Sequence, residues 1–126
     1  MHTNDTLNYL NFLINLAEFL GSDFEIQDKL GCIGEALPDD MANDWSWDYL
    51  SYFVNDLVSK KIISQELEEK FILIDKNFDE VSRGGKYFKP DIWTLNGLKD
   101  DPFWDNQRKL AREILNELKN AKKKYF

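Results

Sequence analysis

The sequence predicts an all-α protein, a compact bundle of about five helices with an irregular or short-hairpin segment around residues 86–100. Three observations carry that expectation. Apolar residues recur near the 3.6-residue helical period along most of the chain, residues that cap helix starts precede several of those stretches, and Gly21, Gly84 and Gly85 stand where the patterns stop. With 126 residues and 43% hydrophobic content the chain suits one domain, 1–126, able to bury roughly two-thirds of its unfolded surface.

The first helix follows from Leu7, Leu10, Ile14 and Ala17, with Thr3 or Asp5 as N-cap and Gly21 as the stop. Tyr9, Phe12, Leu16 and Phe19 trace a second apolar stripe, which suits either a helix surrounded by its neighbours or one that lends a stripe to an interface. Packing inside the fold is the favoured reading. Ser22 and Glu25 have the spacing of a capping box, so the second helix is expected to start there. Its buried face reads Ile26, Leu30, Ile33 and Leu37, Pro38 is expected to end it, and Gly31 and Gly34 suggest the close approach of a neighbour.

A third helix is expected from Asp44 or Ser46 to about Lys60, with Leu50, Phe53, Val54 and Leu57 facing the core. Its other side reads Asp48, Tyr52, Asn55, Asp56 and Ser59. Ser64 caps a fourth, whose buried stripe is Leu67, Phe71, Ile74, Phe78 and Val81. Residues 86–100, "KYFKPDIWTLNGLKD", lack a helical period and contain Pro90 and an Asn96-Gly97 turn signal. Tyr87, Phe88 and Trp93 are expected to lie over the core as a lid. The last helix starts at Asp101 with Pro102 in its first position, turns Phe103, Leu110, Ile114, Leu118 and Ala121 inward, and pairs Asp105 with Lys109.

Charge is distributed unevenly. Residues 1–60 carry eleven acids against two bases, while residues 61–126 carry twelve against fourteen. From Leu30 to Ser59 there is no Lys or Arg, yet Glu35, Asp39, Asp40, Asp44, Asp48 and Asp56 lie there. Such a field repels phosphate and attracts a basic surface, which argues against nucleic acid as a partner. Cys32 is the only cysteine, no basic leader precedes an apolar stretch, and the apolar part of the first helix is too short and too interrupted to span a bilayer. A cytoplasmic chain without a membrane span is expected.

Catalytic chemistry finds few parts to work with. The only histidine is His2, beside the first residue, so no histidine triad can be assembled, and Cys32 has no histidine partner in an ordered segment. Gly84-Gly85 matches no phosphate-binding loop. Asp40, Asp44 and Asp48 recur every four residues, but they lack the alternating ligands, central glycine and terminal glutamate of a calcium loop. Neither an enzyme nor a cofactor or metal is expected.

The acidic stretch has a more specific reading. A solvated helix face ordinarily mixes signs, as the last helix does with Asp105, Arg108, Lys109, Arg112 and Glu113. Here one sign persists and Tyr52 stands among the acids, with Trp45 expected close by. Exposed Tyr and Trp anchor interfaces, and flanking carboxylates steer a basic partner. Asp39, Asp40, Asp44, Trp45, Asp48, Tyr52 and Asp56 are therefore the expected partner-binding set, the rings anchoring and the aspartates pairing with Lys or Arg.

With its "NDWSWDYLSYFVNDL" helix, its small size, its acidity and its general helix-start pattern "DDPFWDNQRKLAREILNEL", the chain resembles the immunity proteins that bacteria keep against their own secreted toxins. These include immunity proteins of contact-dependent growth inhibition and of colicin-type nucleases. The resemblance implies a non-catalytic inhibitor that binds a basic toxin nuclease domain and covers its active site or blocks access to it. A monomer is expected on that reading. The alternative is a homo-oligomeric adaptor or structural protein that associates through Tyr9, Phe12, Leu16 and Phe19.

Overall fold

A computed structural model describes residues 4–30 and 37–126. These form seven α-helices and one 3-10 turn: α1 (Asn4–Gly21), α2 (Phe24–Leu30), α3 (Leu37–Asn43), α4 (Trp47–Ser59), α5 (Gln65–Val81), the 3-10 turn (Pro90–Trp93), α6 (Leu95–Asp100) and α7 (Pro102–Tyr125). The all-α class holds, with two more helices than expected. His2, Thr3, Gly31, Cys32, Ile33, Gly34 and Glu35 lie outside the described residues. No described helix is long and apolar enough to cross a membrane.

Four long helices close a ring around the core. Helix α1 packs along α7 and beside α4, and α5 packs against both α4 and α7. Each turns one apolar stripe inward, as amphipathic helices in a bundle must. Leu10, Leu13, Ile14, Ala17 and Leu20 come from α1, Leu50, Val54 and Leu57 from α4, and Leu67, Phe71, Ile74 and Phe78 from α5. Helix α7 adds Trp104, Ala111, Ile114 and Leu118. Helix α3, the 3-10 turn and α6 pack on one another at the side of this ring.

The helix ends explain where the chain turns. Ser64 Oγ accepts from Leu67 N at 3.1 Å, and Asp101 accepts from Phe103 N at 2.9 Å, so both expected caps form. The Ser22 capping box does not. Ser22 Oγ donates instead to the Glu18 carbonyl at 2.6 Å, closing the end of α1, and the Asp23 carbonyl accepts from the Ile26 and Gln27 amides of α2. At the end of α5, Gly84 adopts φ 87°, which a side chain would resist.

Several expectations are corrected. On α2, Ile26 and Leu30 are exposed and Gln27 is the buried residue. Pro38 does not end a helix but sits in the first turn of α3, where its missing N–H goes unneeded. Residues 86–100 form no strands; they hold the 3-10 turn and α6, which Thr94 caps by accepting from Gly97 N at 2.9 Å. Gly97 is there for close approach rather than a turn, because a Cβ on it would run into the backbone of Asp91 and Ile92. Trp93 packs on the core and donates to the Val81 carbonyl at 2.9 Å, but Tyr87 and Phe88 stay exposed and form no lid. On α7 the inward ring is Trp104, whose indole donates to the Ile92 carbonyl at 2.8 Å, while Phe103 and Leu110 are half-buried. Asp105 pairs with Arg108 at 3.0 Å rather than with Lys109.

Arg108 is the least expected core residue. It is 4% exposed, donates through Nε and Nη2 to Gln27 Oε1 at 3.3 and 3.0 Å, and also reaches the Leu98 carbonyl and Asp105. Gln27 in turn donates to the Leu20 carbonyl at 2.9 Å. One guanidinium thus ties α2, α6 and α7 together. Burial pushes its pKa down, opposed by the adjacent Asp105 carboxylate.

Candidate functional site: an aromatic and acidic face on α1 and α4

Helices α1 and α4 meet so that the start of one lies beside the end of the other, as shown by Lys60 Nζ donating to Thr6 Oγ1 at 2.8 Å. Between them lies a cluster of five rings. Phe53 sits at its centre, with the centroids of Tyr9, Phe12, Tyr49 and Tyr52 at 5.1, 5.1, 5.4 and 5.4 Å. Tyr9 also meets Tyr52 edge-on at 5.8 Å, and Phe12 meets Tyr49 at 6.2 Å. These are the distances at which aromatic pairs attract beyond simple burial.

The cluster is open to solvent. Tyr52 is 67% exposed, Tyr49 57% and Phe12 37%, while Tyr9 and Phe53 are half-buried. Contiguous rings left open in this way are uncommon on a small monomer and mark interaction surfaces. The second apolar stripe of α1 therefore divides, because Leu16 and Phe19 pack on the core and Tyr9 and Phe12 join the face. Two surfaces that the sequence treats as alternatives become one.

Carboxylates border the rings. Asp48 lies one turn before Tyr52 on α4 and Asp56 one turn after it; Asp56 acts with Asp5 of α1 on Tyr9, while Asp48 also acts on Asp75 of α5. Asp56 Oδ2 pairs with Lys60 Nζ at 3.1 Å, so this carboxylate and Lys60 are already engaged with one another. Asp48 has no ion pair among the described residues. The Tyr9 phenol shows the effect of this setting. Its pKa rises to about 12, first through the hydrogen bond with Tyr52, then through partial burial and through the charges of Tyr52, Asp5 and Asp56.

The remaining expected contact residues lie elsewhere. Trp45 is 1% exposed and stacks on Phe71 with centroids 5.6 Å apart, so it belongs to the core and not to a binding face. Helix α4 starts at Trp47, which leaves Trp45 in the preceding turn and free to point inward. Asp39 is exposed on α3 and lines a cleft to which α4 contributes nothing. Asp40 and Asp44 face one another electrostatically, and burial followed by the Asp40 charge raises the pKa of Asp44. They do not form a row with Asp48, because the turn at Asp44 to Ser46 breaks the helix between them.

Sequence reasoning also missed Asp75 of α5. Ser46 makes no side-chain cap for α4, and the Asp75 carboxylate accepts from the Trp47 backbone instead. That bond lowers its pKa, but burial and then the charge of Asp79 outweigh it and leave the pKa raised. Among the described residues no group of three or more His, Cys, Asp or Glu side chains converges to hold a metal ion.

No protein-family model, curated protein or solved structure matches this chain. The functional reading therefore rests on the geometry and charge of the α1–α4 face.

Proposed function

We propose that this chain is a non-catalytic binding protein that captures a basic partner on the α1–α4 face, acting as an immunity-type inhibitor of a toxin nuclease domain. The observation that carries this reading is the cluster of Tyr9, Phe12, Tyr49, Tyr52 and Phe53, open to solvent and bordered by Asp48 and Asp56. Rings that are already packed against one another lose little freedom on binding, and they anchor a partner by burying apolar area. The carboxylates select for positive charge and raise the encounter rate. A nuclease domain has to attract nucleic-acid phosphate, so it presents the kind of positive groove that suits this face.

A second reading shares the same residues. Tyr9 and Phe12 belong to the open cluster, so two copies of the chain could bury it by self-association. Like charge on both copies opposes that arrangement, since each would bring its own Asp48 and Asp56 to the contact.

The test is growth rescue. The chain is expressed together with a growth-arresting basic nuclease toxin domain, and compared with a Tyr49→Ala/Tyr52→Ala variant. The proposal expects the wild type to restore growth and the variant to fail while keeping its helical circular dichroism. Equal rescue by both chains would remove the face from the mechanism, and a salt-insensitive dimer of the isolated chain would favour self-association.

A further inference from the structure

A cleft of about 530 Å3 opens between α3, the end of α5 and the 3-10 turn. Its size falls within the range of about 300–1,000 Å3 common to small-molecule sites. Phe88, Trp93 and Pro90 give it an apolar wall, and Asp39, Asn43, Ser82 and Arg83 give it polar groups. None of these residues belongs to the α1–α4 face.

Two features define what the cleft would accept. Asp39 and Arg83 carry opposite charges, both are exposed, and neither enters an ion pair or a side-chain hydrogen bond among the described residues. A ligand with one charge would gain one of them and be repelled by the other. A molecule with both charges satisfies each. The apolar wall is also partly fixed, because the Trp93 indole is held by the Val81 carbonyl at 2.9 Å, while Phe88 remains 41% exposed beside it. Ser82 donates its hydroxyl hydrogen to the Phe78 carbonyl at 2.6 Å, which leaves the oxygen as an acceptor.

We propose that this cleft binds a small zwitterion with an aromatic or bulky apolar side chain, an α-amino acid in chemical class. The ligand carboxylate meets the Arg83 guanidinium, the ammonium meets Asp39 and the Ser82 oxygen, and the side chain lies on Phe88 and Trp93. Charge-assisted hydrogen bonds of this kind give orientation as well as affinity.

The experiment is a titration of the isotope-labelled full chain, followed by amide resonances, with L-phenylalanine, 2-phenylethylamine and 3-phenylpropionate. The last two probes each lack one charge. A saturable shift confined to the amides around Ser82, Arg83, Phe88 and Trp93 is expected with L-phenylalanine, about tenfold weaker with either analogue. Arg83→Gln and Asp39→Asn, both on exposed side chains, should each weaken L-phenylalanine binding with the fold retained. Absence of a saturable shift would overturn the proposal, as would equal binding of all three probes or undiminished binding by both variants.

Discussion

The phenol oxygens of Tyr9 and Tyr52 lie 3.4 Å apart, joining α1 to α4 at the surface across 43 residues of sequence. This contact makes Tyr9 reluctant to ionise and places its pKa at about 12. A group whose folded pKa is raised contributes stability that is present below the unfolded value, near 10, and is lost as pH rises towards 12. Tyrosine titration by ultraviolet difference spectroscopy is expected to show a phenol ionising at about 12, above the usual value near 10. Tyr52→Phe should bring that phenol down; an unchanged titration would show that the pair does not form in solution.

Trp45 and Tyr52 should respond oppositely to truncation. Trp45 is enclosed and stacked on Phe71, so Trp45→Ala is expected to cost about 3–5 kcal/mol in denaturant unfolding. Tyr52 is largely exposed, so Tyr52→Ala should cost under about 1 kcal/mol while weakening partner binding. A small effect at Trp45 would contradict its place in the core.

These two residues show what the sequence could and could not reveal. The inward face of α5, most of that of α1 and the Ile114, Leu118 and Ala121 part of α7 were legible because burial repeats with the helical period, and Ser64 and Asp101 were legible because capping is local. Trp45 sits in a turn, where no period applies, and its chemistry fits a core and an interface equally well. That Tyr9 and Phe12 share a face with Tyr49 and Tyr52 depends on which helices are neighbours, and periodicity within one helix carries no such information. The Gln27–Arg108 contact was hidden for a related reason. Polar side chains read as exposed until their partners, 81 residues apart here, are known.

Asp101 both caps α7 and pairs with Lys89 at 2.9 Å. Burial pushes its carboxyl up, but the Lys89 ammonium and the Phe103 amide prevail and hold it below the usual carboxylate range. Its stabilisation is therefore present above the unfolded pKa and lost as pH falls through the lower folded value. Asp101→Ala is expected to cost about 1–2 kcal/mol near neutral pH and Asp101→Asn less, since asparagine still caps. Urea unfolding across the acid range checks both, and equal losses would assign the effect to the ion pair rather than the cap.

Arg108→Leu should leave Gln27 Oε1 and the Leu98 carbonyl without their donor inside the fold. A loss of about 2–4 kcal/mol is expected, and simultaneous Gln27→Leu should recover part of it by removing one orphaned acceptor. If the double variant is no better than the sum of the singles, the two residues do not act as a unit.

The most direct test of the proposed capture is the association rate of this chain with a basic toxin nuclease domain, measured by stopped flow at two salt concentrations for the wild type and Asp48→Lys. The account predicts fast, salt-weakened association for the wild type and a slower rate with less salt dependence for the variant. Identical rates and identical salt dependence for the two chains would contradict capture through the α1–α4 face.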